Sequence, residues 1–112
     1  MTFFISDDFE WKIGNFYLLK SNDQRLLFYI VSDEAIRCYA KFEQQMVTGQ
    51  FVLLRSYDWT YDYRTEGDKI VVIYDGTEFP STCKLEIPYT EDDSFDERLK
   101  HAIDYISTYK YS

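Results

Sequence analysis

The stretch SDEAIRCYAKFEQQMVTG, residues 32–49, decides the fold because two periodicities fit it. As a helix it has Ser32 as the N-cap, acidic residues in the first turn where the helix dipole favours them, and Gly49 as a stop. As a strand it alternates apolar residues at positions 36, 38, 40 and 42 with the residues between them. The capping residues and the length of the segment favour the helix, so we predict a central helix over residues 33–48.

The chain on either side of this segment is typical of β-strands. Residues 16–20 (FYLLK) and 25–31 (RLLFYIV) are rich in aromatic and aliphatic side chains, and the turn chemistry of residues 21–24 predicts a hairpin between them. Further strands are predicted for residues 50–57, 59–64, 69–74 and 83–89.

The C-terminal segment carries the clearest helical pattern. Asp93 or Ser94 is placed to cap it, and Asp96 and Glu97 fall in its first turn. One apolar stripe recurs at intervals of three and four, formed by Phe95, Leu99, Ala102, Ile103, Ile106 and Tyr109. The predicted fold class is therefore α+β, a single antiparallel β-sheet with a central helix and a C-terminal amphipathic helix packed on it, in one domain over residues 1–112.

Composition excludes several classes of protein. The chain has 112 residues, of which 46% are hydrophobic, so it can build a core and is not globally disordered. Its 20 acidic and 12 basic side chains give a formal net charge of −8. Binding to nucleic acid or to an anionic membrane needs a patch of Lys and Arg, and the acidic balance argues against both.

The ends of the chain and its cysteines indicate a compartment. The N-terminal residues combine a short apolar run with Asp7 and Asp8, which does not fit a signal peptide, and no apolar run approaches the length of a membrane span. Cys38 and Cys83 lack a CxxC partner, and we expect them to be reduced and packed. These features predict a cytoplasmic protein.

The most unusual local feature is the aromatic segment YDWTYDY, residues 57–63. In an extended conformation its four rings lie on one face and Asp58, Thr60 and Asp62 on the other. Tyr and Trp are enriched at binding hot spots, which favours a recognition surface. The alternative is a strand whose rings cover a sheet beneath a helix, and the pattern favours this alternative slightly.

A second feature is the acidic run EDDSFDE, residues 91–97, with five carboxylates. Carboxylates stabilise a helix N-terminus by about 0.3–1 kcal/mol each, so capping and solubility explain several of them. Five are more than a cap needs, which leaves open an electrostatic contact with a basic partner.

The sequence contains no motif for catalysis, for a metal or for another cofactor. The single histidine, His101, lies near Glu97 and Asp104 on the predicted helix, which favours a surface ion cluster over a general base. No serine lies in a GxSxG setting, and the four glycines are too scattered for a phosphate loop. We therefore predict a protein that is not an enzyme and binds no cofactor or metal.

The charge and the aromatic segment together predict a small acidic binding protein that inhibits a basic protein partner. The most concrete versions are an immunity-type inhibitor of a nuclease toxin and an inhibitor that mimics nucleic acid. Carboxylates would be steered into a positive groove, and aromatic anchors would slow dissociation. The candidate partner-binding residues are Tyr57, Asp58, Trp59, Tyr61, Asp62, Tyr63, Glu91, Asp92 and Asp93. Two alternatives stay open: a homo-oligomeric structural or accessory domain, for instance a homodimer, and a module that binds a small ligand or a carbohydrate on an aromatic platform.

Overall fold

Six antiparallel strands closed into a barrel, followed by one helix, form the computed structural model, which describes residues 9–109. The elements are β1 (Phe16–Ser21), β2 (Gln24–Ile30), β3 (Ala35–Gln44), β4 (Phe51–Glu66), β5 (Lys69–Tyr74), β6 (Thr77–Glu86) and α1 (Phe95–Thr108). Each strand pairs with the next one along the chain, and β6 returns to pair with β1. The predicted fold class is wrong in its main point, because the sheet is closed rather than open and no central helix is present among the described residues.

The segment that decides the fold is a strand, not the predicted helix. Ser32 caps a tight turn instead of a helix, since its Oγ accepts hydrogen bonds from the backbone N–H groups of Glu34 and Ala35. Buried and partly buried residues then alternate along β3, as the strand interpretation requires: Ile36, Cys38, Ala40 and Phe42 are the buried ones. Ser and acidic residues supply the same local hydrogen bonds in a turn as at a helix start, so the capping pattern did not distinguish the two.

Strand β1 is buried on both of its faces. Phe16 and Leu18 pack in an outer cluster, beneath α1, whereas Tyr17 and Leu19 pack in an inner cluster inside the barrel. The outer cluster also contains Leu27, Ala40, Phe42, Phe51, Ile87, Ala102 and Ile106. The inner cluster also contains Phe28, Ile30, Ile36, Cys38, Ile70 and Val72. The continuous apolar run of residues 16–19 therefore reflects burial on both sides, as in other strands covered on both faces.

The long strand β4 changes partner along its length. From Phe51 to Asp62 it pairs with β3, with two irregularities in register, and from Asp62 to Glu66 it pairs with β5. Between residues 52 and 61, its edge away from β3 is paired with no other strand in the described part of the chain. The barrel thus has an open flank beside the first two thirds of β4.

The C-terminal helix is confirmed, and so is the way it begins. Ser94 is the N-cap, and its Oγ accepts a hydrogen bond of 3.2 Å from the backbone N–H of Glu97. Ala102 and Ile106 bury the apolar stripe against the outside of the barrel. Within the described range, no helix is long and apolar enough to cross a membrane.

Candidate binding surface

The aromatic segment is a continuous part of β4, and three of its four rings are partly buried. Tyr57, Tyr61 and Tyr63 pack against the inner cluster, whereas Trp59 is 56% exposed. The Tyr63 hydroxyl donates a hydrogen bond of 2.7 Å to the backbone oxygen of Ser32. Burial raises the pKa of Tyr61 and of Tyr63. These tyrosines hold β4 on the barrel, which leaves Trp59 as the ring best able to contact a partner.

Trp59 is exposed because of the open flank. It stands opposite Cys38, which is buried, so its position in the register alone would predict burial. On its other side no strand pairs with β4 until Asp62, among the residues that the structure describes. The missing neighbour leaves the indole ring in contact with solvent.

Asp58 and Asp62 are exposed carboxylates on β4. Asp58 forms an ion pair with Arg37 of β3. The Arg37 guanidinium lies 5.7 Å from the centre of the Tyr39 ring. Asp62 has no ion-pair partner within residues 9–109, so its charge is free to act on an approaching molecule.

The acidic run divides into one engaged carboxylate and several free ones. Asp92 accepts a hydrogen bond of 2.6 Å from the Thr90 hydroxyl and lies 2.8 Å from Nδ1 of His101. The Thr90 bond, with a smaller contribution from His101, lowers the pKa of Asp92. Glu91 and Asp93 are exposed and form no ion pair with any described residue. Asp92 is therefore held by contacts within the chain, and a contact of Glu91, Asp92 or Asp93 with a partner stays a prediction.

Tyr39 connects the aromatic segment with the acidic run. Its ring centre is 5.4 Å from that of Phe95, at the start of α1. Burial raises the pKa of Tyr39, Arg37 opposes this shift, and both Asp58 and Asp96 add to it. Because Tyr39 contacts both Arg37, which pairs with Asp58 of β4, and Phe95, which precedes Asp96, β4 and the start of α1 border one surface. Asp58 and Asp96 border Tyr39, and together with Asp62, Glu91 and Asp93, exposed carboxylates of the same two segments, we call them the acidic face.

The structure adds residues that the sequence pattern did not indicate. Arg37 and Tyr39 were assigned to a helix, and their position on β3 is what joins the two segments. Arg98 of α1 was also missed: its guanidinium lies 4.6 Å from the centre of the Tyr89 ring and donates a hydrogen bond of 2.5 Å to the backbone oxygen of Gly14. The high aromatic content of the sequence was the available signal for such a contact, because Arg side chains stack on aromatic rings.

His101 contacts a different carboxylate from those expected. Its partner is Asp92, which precedes the helix, rather than Glu97 or Asp104. The imidazole is about half exposed, at 48% of its side-chain surface. Across residues 9–109, no three His, Cys, Asp or Glu side chains come together in a group that could hold a metal ion.

The two thiols are free and protonated at neutral pH. Burial raises the pKa of Cys38 to about 12 and that of Cys83 to about 11, in each case as the largest cause. Thiols with such high pKa values are poor nucleophiles.

Comparisons with protein-family models, with curated proteins and with solved structures gave no match.

Proposed function

We propose that this chain is a small acidic binding protein that inhibits a basic macromolecular partner, most concretely as an immunity-type inhibitor of a nuclease toxin or as a mimic of nucleic acid. The observation that carries the proposal is the acidic face, on which Tyr39 contacts Phe95 at the helix start and Arg37, the ion-pair partner of Asp58 on β4. A nuclease groove is positive because it holds phosphates, so such a face is complementary to it.

The free carboxylates would give fast association. Asp62, Glu91, Asp93 and Asp96 have no ion-pair partner among the described residues, so their fields are not neutralised locally. Complementary charge raises association rates by about 10- to 1000-fold at low salt and loses this effect as salt rises. The proposed partner would therefore bind with strong salt dependence.

Trp59 would supply the anchor that limits dissociation. It follows Asp58 directly in β4 and is exposed on the open flank beside the acidic face. Exposed Trp residues that enter a partner's pocket commonly contribute 2 kcal/mol or more to binding, on the order of a 30-fold change in dissociation constant. Tyr57, Tyr61 and Tyr63 would act indirectly, by fixing the strand that presents Trp59.

The proposal is tested with two variants that lose the same amount of charge. The first, D58N/D62N/D96N, removes three carboxylates from the acidic face. The matched control, D23N/D68N/D75N, removes three exposed carboxylates from turns. A partner would be captured at low salt from an extract of the source cells, identified, and assayed for nuclease activity with and without this chain.

The proposal predicts a basic partner whose nuclease activity is suppressed by the unmodified chain. The acidic-face variant should associate about 10-fold more slowly at low salt, and the control variant should change by less than about 2-fold. Equal effects of the two variants would mean that only net charge matters. An acidic partner, or a partner whose activity is unaffected, would overturn the proposal.

A homo-oligomeric accessory domain is the second candidate, and the open flank of β4 favours it. Val52, Leu53 and Leu54 are exposed beside an edge that pairs with no described strand, and such edges can pair with a second copy. Sedimentation equilibrium distinguishes the candidates. A stable dimer that Leu54→Lys dissociates would support this second candidate, whereas a monomer at all concentrations would exclude it.

A further inference from the structure

One end of the barrel contains a cavity that the proposed function does not use. Its volume is about 130 Å³, and it is lined by residues of β1, β2, β4, β5 and β6. Phe28 and Val72, which are 3% and 4% exposed, form its inner wall. Phe79 and Gln24 lie at its exposed rim. The cavity therefore leads from solvent into the inner cluster.

The walls are suited to an aromatic ring. Tyr61 lines the cavity and meets Phe28 edge to face, with their ring centres 6.0 Å apart. Edge-to-face and offset contacts of this kind stabilise a ring placed among other rings beyond the effect of burial alone. A dry apolar cavity of about 150 Å³ accepts benzene, so the size here fits a single six-membered ring.

The cavity also holds two polar groups that are available to a ligand. The Tyr61 hydroxyl and the side-chain amide of Gln24 have no hydrogen-bond partner among the described residues. By contrast, the Ser81 hydroxyl already donates to the backbone oxygen of Phe79, at 3.3 Å. A ligand with one hydroxyl could bond Tyr61 or Gln24 while its ring remains in the apolar part.

The described residues of the lining carry no charge at neutral pH. Among the described residues that line the cavity, Tyr61 is the one ionisable group, and burial raises its pKa. A charged ligand would lose its hydration without gaining an ion pair, which is costly in an apolar site. The geometry therefore selects against carboxylates and amines.

We propose that this cavity binds a neutral, single-ring aromatic molecule with one hydroxyl group, that is, a small phenol. The binding would be independent of the acidic face. For a ligand of this size we expect a dissociation constant on the order of 1 mM.

The test is a titration of the ¹⁵N-labelled chain with phenol, benzene and benzoate, followed by NMR. Phenol should give saturable shifts at the amides of Leu26, Phe28, Tyr61 and Val72. Benzene should bind about 5-fold more weakly, because it lacks the hydrogen bond, and benzoate should not bind. The absence of saturable shifts up to the solubility limit of phenol would overturn the proposal, as would equal binding of benzoate.

Two variants and a control assign the site. Tyr61→Phe should remove the preference for phenol over benzene and leave benzene binding unchanged. Tyr74→Phe removes a neighbouring hydroxyl, on a ring 5.6 Å from that of Tyr61 but outside the cavity lining, and should change nothing. Leu26→Phe should fill the cavity and weaken all ligands by about 10-fold or more. If Leu26→Phe does not fold, Tyr61→Phe decides the matter, and an unchanged preference in that variant would contradict the proposal.

Discussion

Two regions of this chain begin with the same local pattern and fold differently. A serine followed by two acidic residues opens both residues 32–34 and, with one residue inserted, residues 94–97. At Ser94 the pattern starts a helix, whereas at Ser32 it forms the turn before β3. In both places the serine Oγ accepts a backbone N–H bond of 3.2 Å, so the capping bond does not distinguish helix from turn. The residues that follow it, and what they pack against, make the difference.

The largest loss of unfolding free energy should come from removing the Phe42 ring, which buries β3 in the outer cluster. Phe42 is 2% exposed in the outer cluster, and we expect Phe42→Ala to cost about 3–5 kcal/mol of unfolding free energy. Phe95, at the start of α1, is only half-buried, and Phe95→Ala should cost about 1–2 kcal/mol. Urea unfolding of both variants measures the difference. A smaller loss for Phe42→Ala than for Phe95→Ala would contradict the assignment of β3 to the core.

Substitution of the two serines by alanine tests the difference between the two segments directly. Ser94→Ala should cost about 1 kcal/mol and reduce the far-ultraviolet helix signal, because it exposes an N–H group of the first turn of α1. Ser32→Ala should cost a similar amount without reducing that signal, since a turn and not a helix depends on it. Circular dichroism during thermal unfolding records both quantities. Loss of helix signal in the Ser32 variant would show that residues 33–48 are helical after all.

The smallest effects concern the two thiols, of which Cys38 is buried and Cys83 is partly buried. With pKa values of about 12 and about 11, Cys38 should be alkylated at least about 10-fold more slowly than Cys83 at one pH. Both should react far faster in the unfolded chain, where the pKa is near its ordinary value of 9.0. Mass spectrometry after timed alkylation measures the rates, and equal rates at the two thiols would contradict the burial of Cys38.

Because the pKa values of both thiols are raised, the unfolding free energy should depend on pH. Above about pH 9 the unfolded thiols lose their protons while the folded thiols keep them, so the folded state binds more protons. Unfolding free energy should therefore fall as pH rises above about 9, and Cys38→Ala should reduce that slope. Chemical unfolding at several alkaline pH values checks the sign.

Much of the local structure was predictable from sequence, but the closure of the sheet was not. The hairpin of β1 and β2, strand β5 and helix α1 follow from short-range patterns and turn chemistry. Pairing between β6 and β1 joins residues that are more than sixty positions apart, and no local periodicity records it. The fully apolar run of β1 was the available signal for a strand buried on both faces, and an open sheet covered by helices accounts for that run as well.

The candidate surface was only partly predictable from sequence, because it also depends on contacts between distant segments. The alternation of rings and polar residues in residues 57–63 follows from the sequence. The exposure of Trp59 depends on a missing neighbour strand, and the connection to the acidic run depends on Arg37 and Tyr39. Both require β3 to be a strand, so the error over residues 32–49 hid the connection.

The central claim is that β4 and the start of α1 form one acidic face around Tyr39, and a site-specific titration of this tyrosine tests it most directly. With tyrosines labelled at Cζ, NMR follows the ionisation of Tyr39 in the unmodified chain, in Asp58→Asn and in Asp96→Asn. Each substitution removes a negative charge that disfavours the tyrosinate, so each should lower the pKa of Tyr39, and the double variant should lower it further. Glu43→Gln, an exposed change on β3 at a residue that is not among the causes of the Tyr39 shift, serves as the control. An unchanged Tyr39 pKa in Asp96→Asn would place the helix start away from β4 and contradict the shared face.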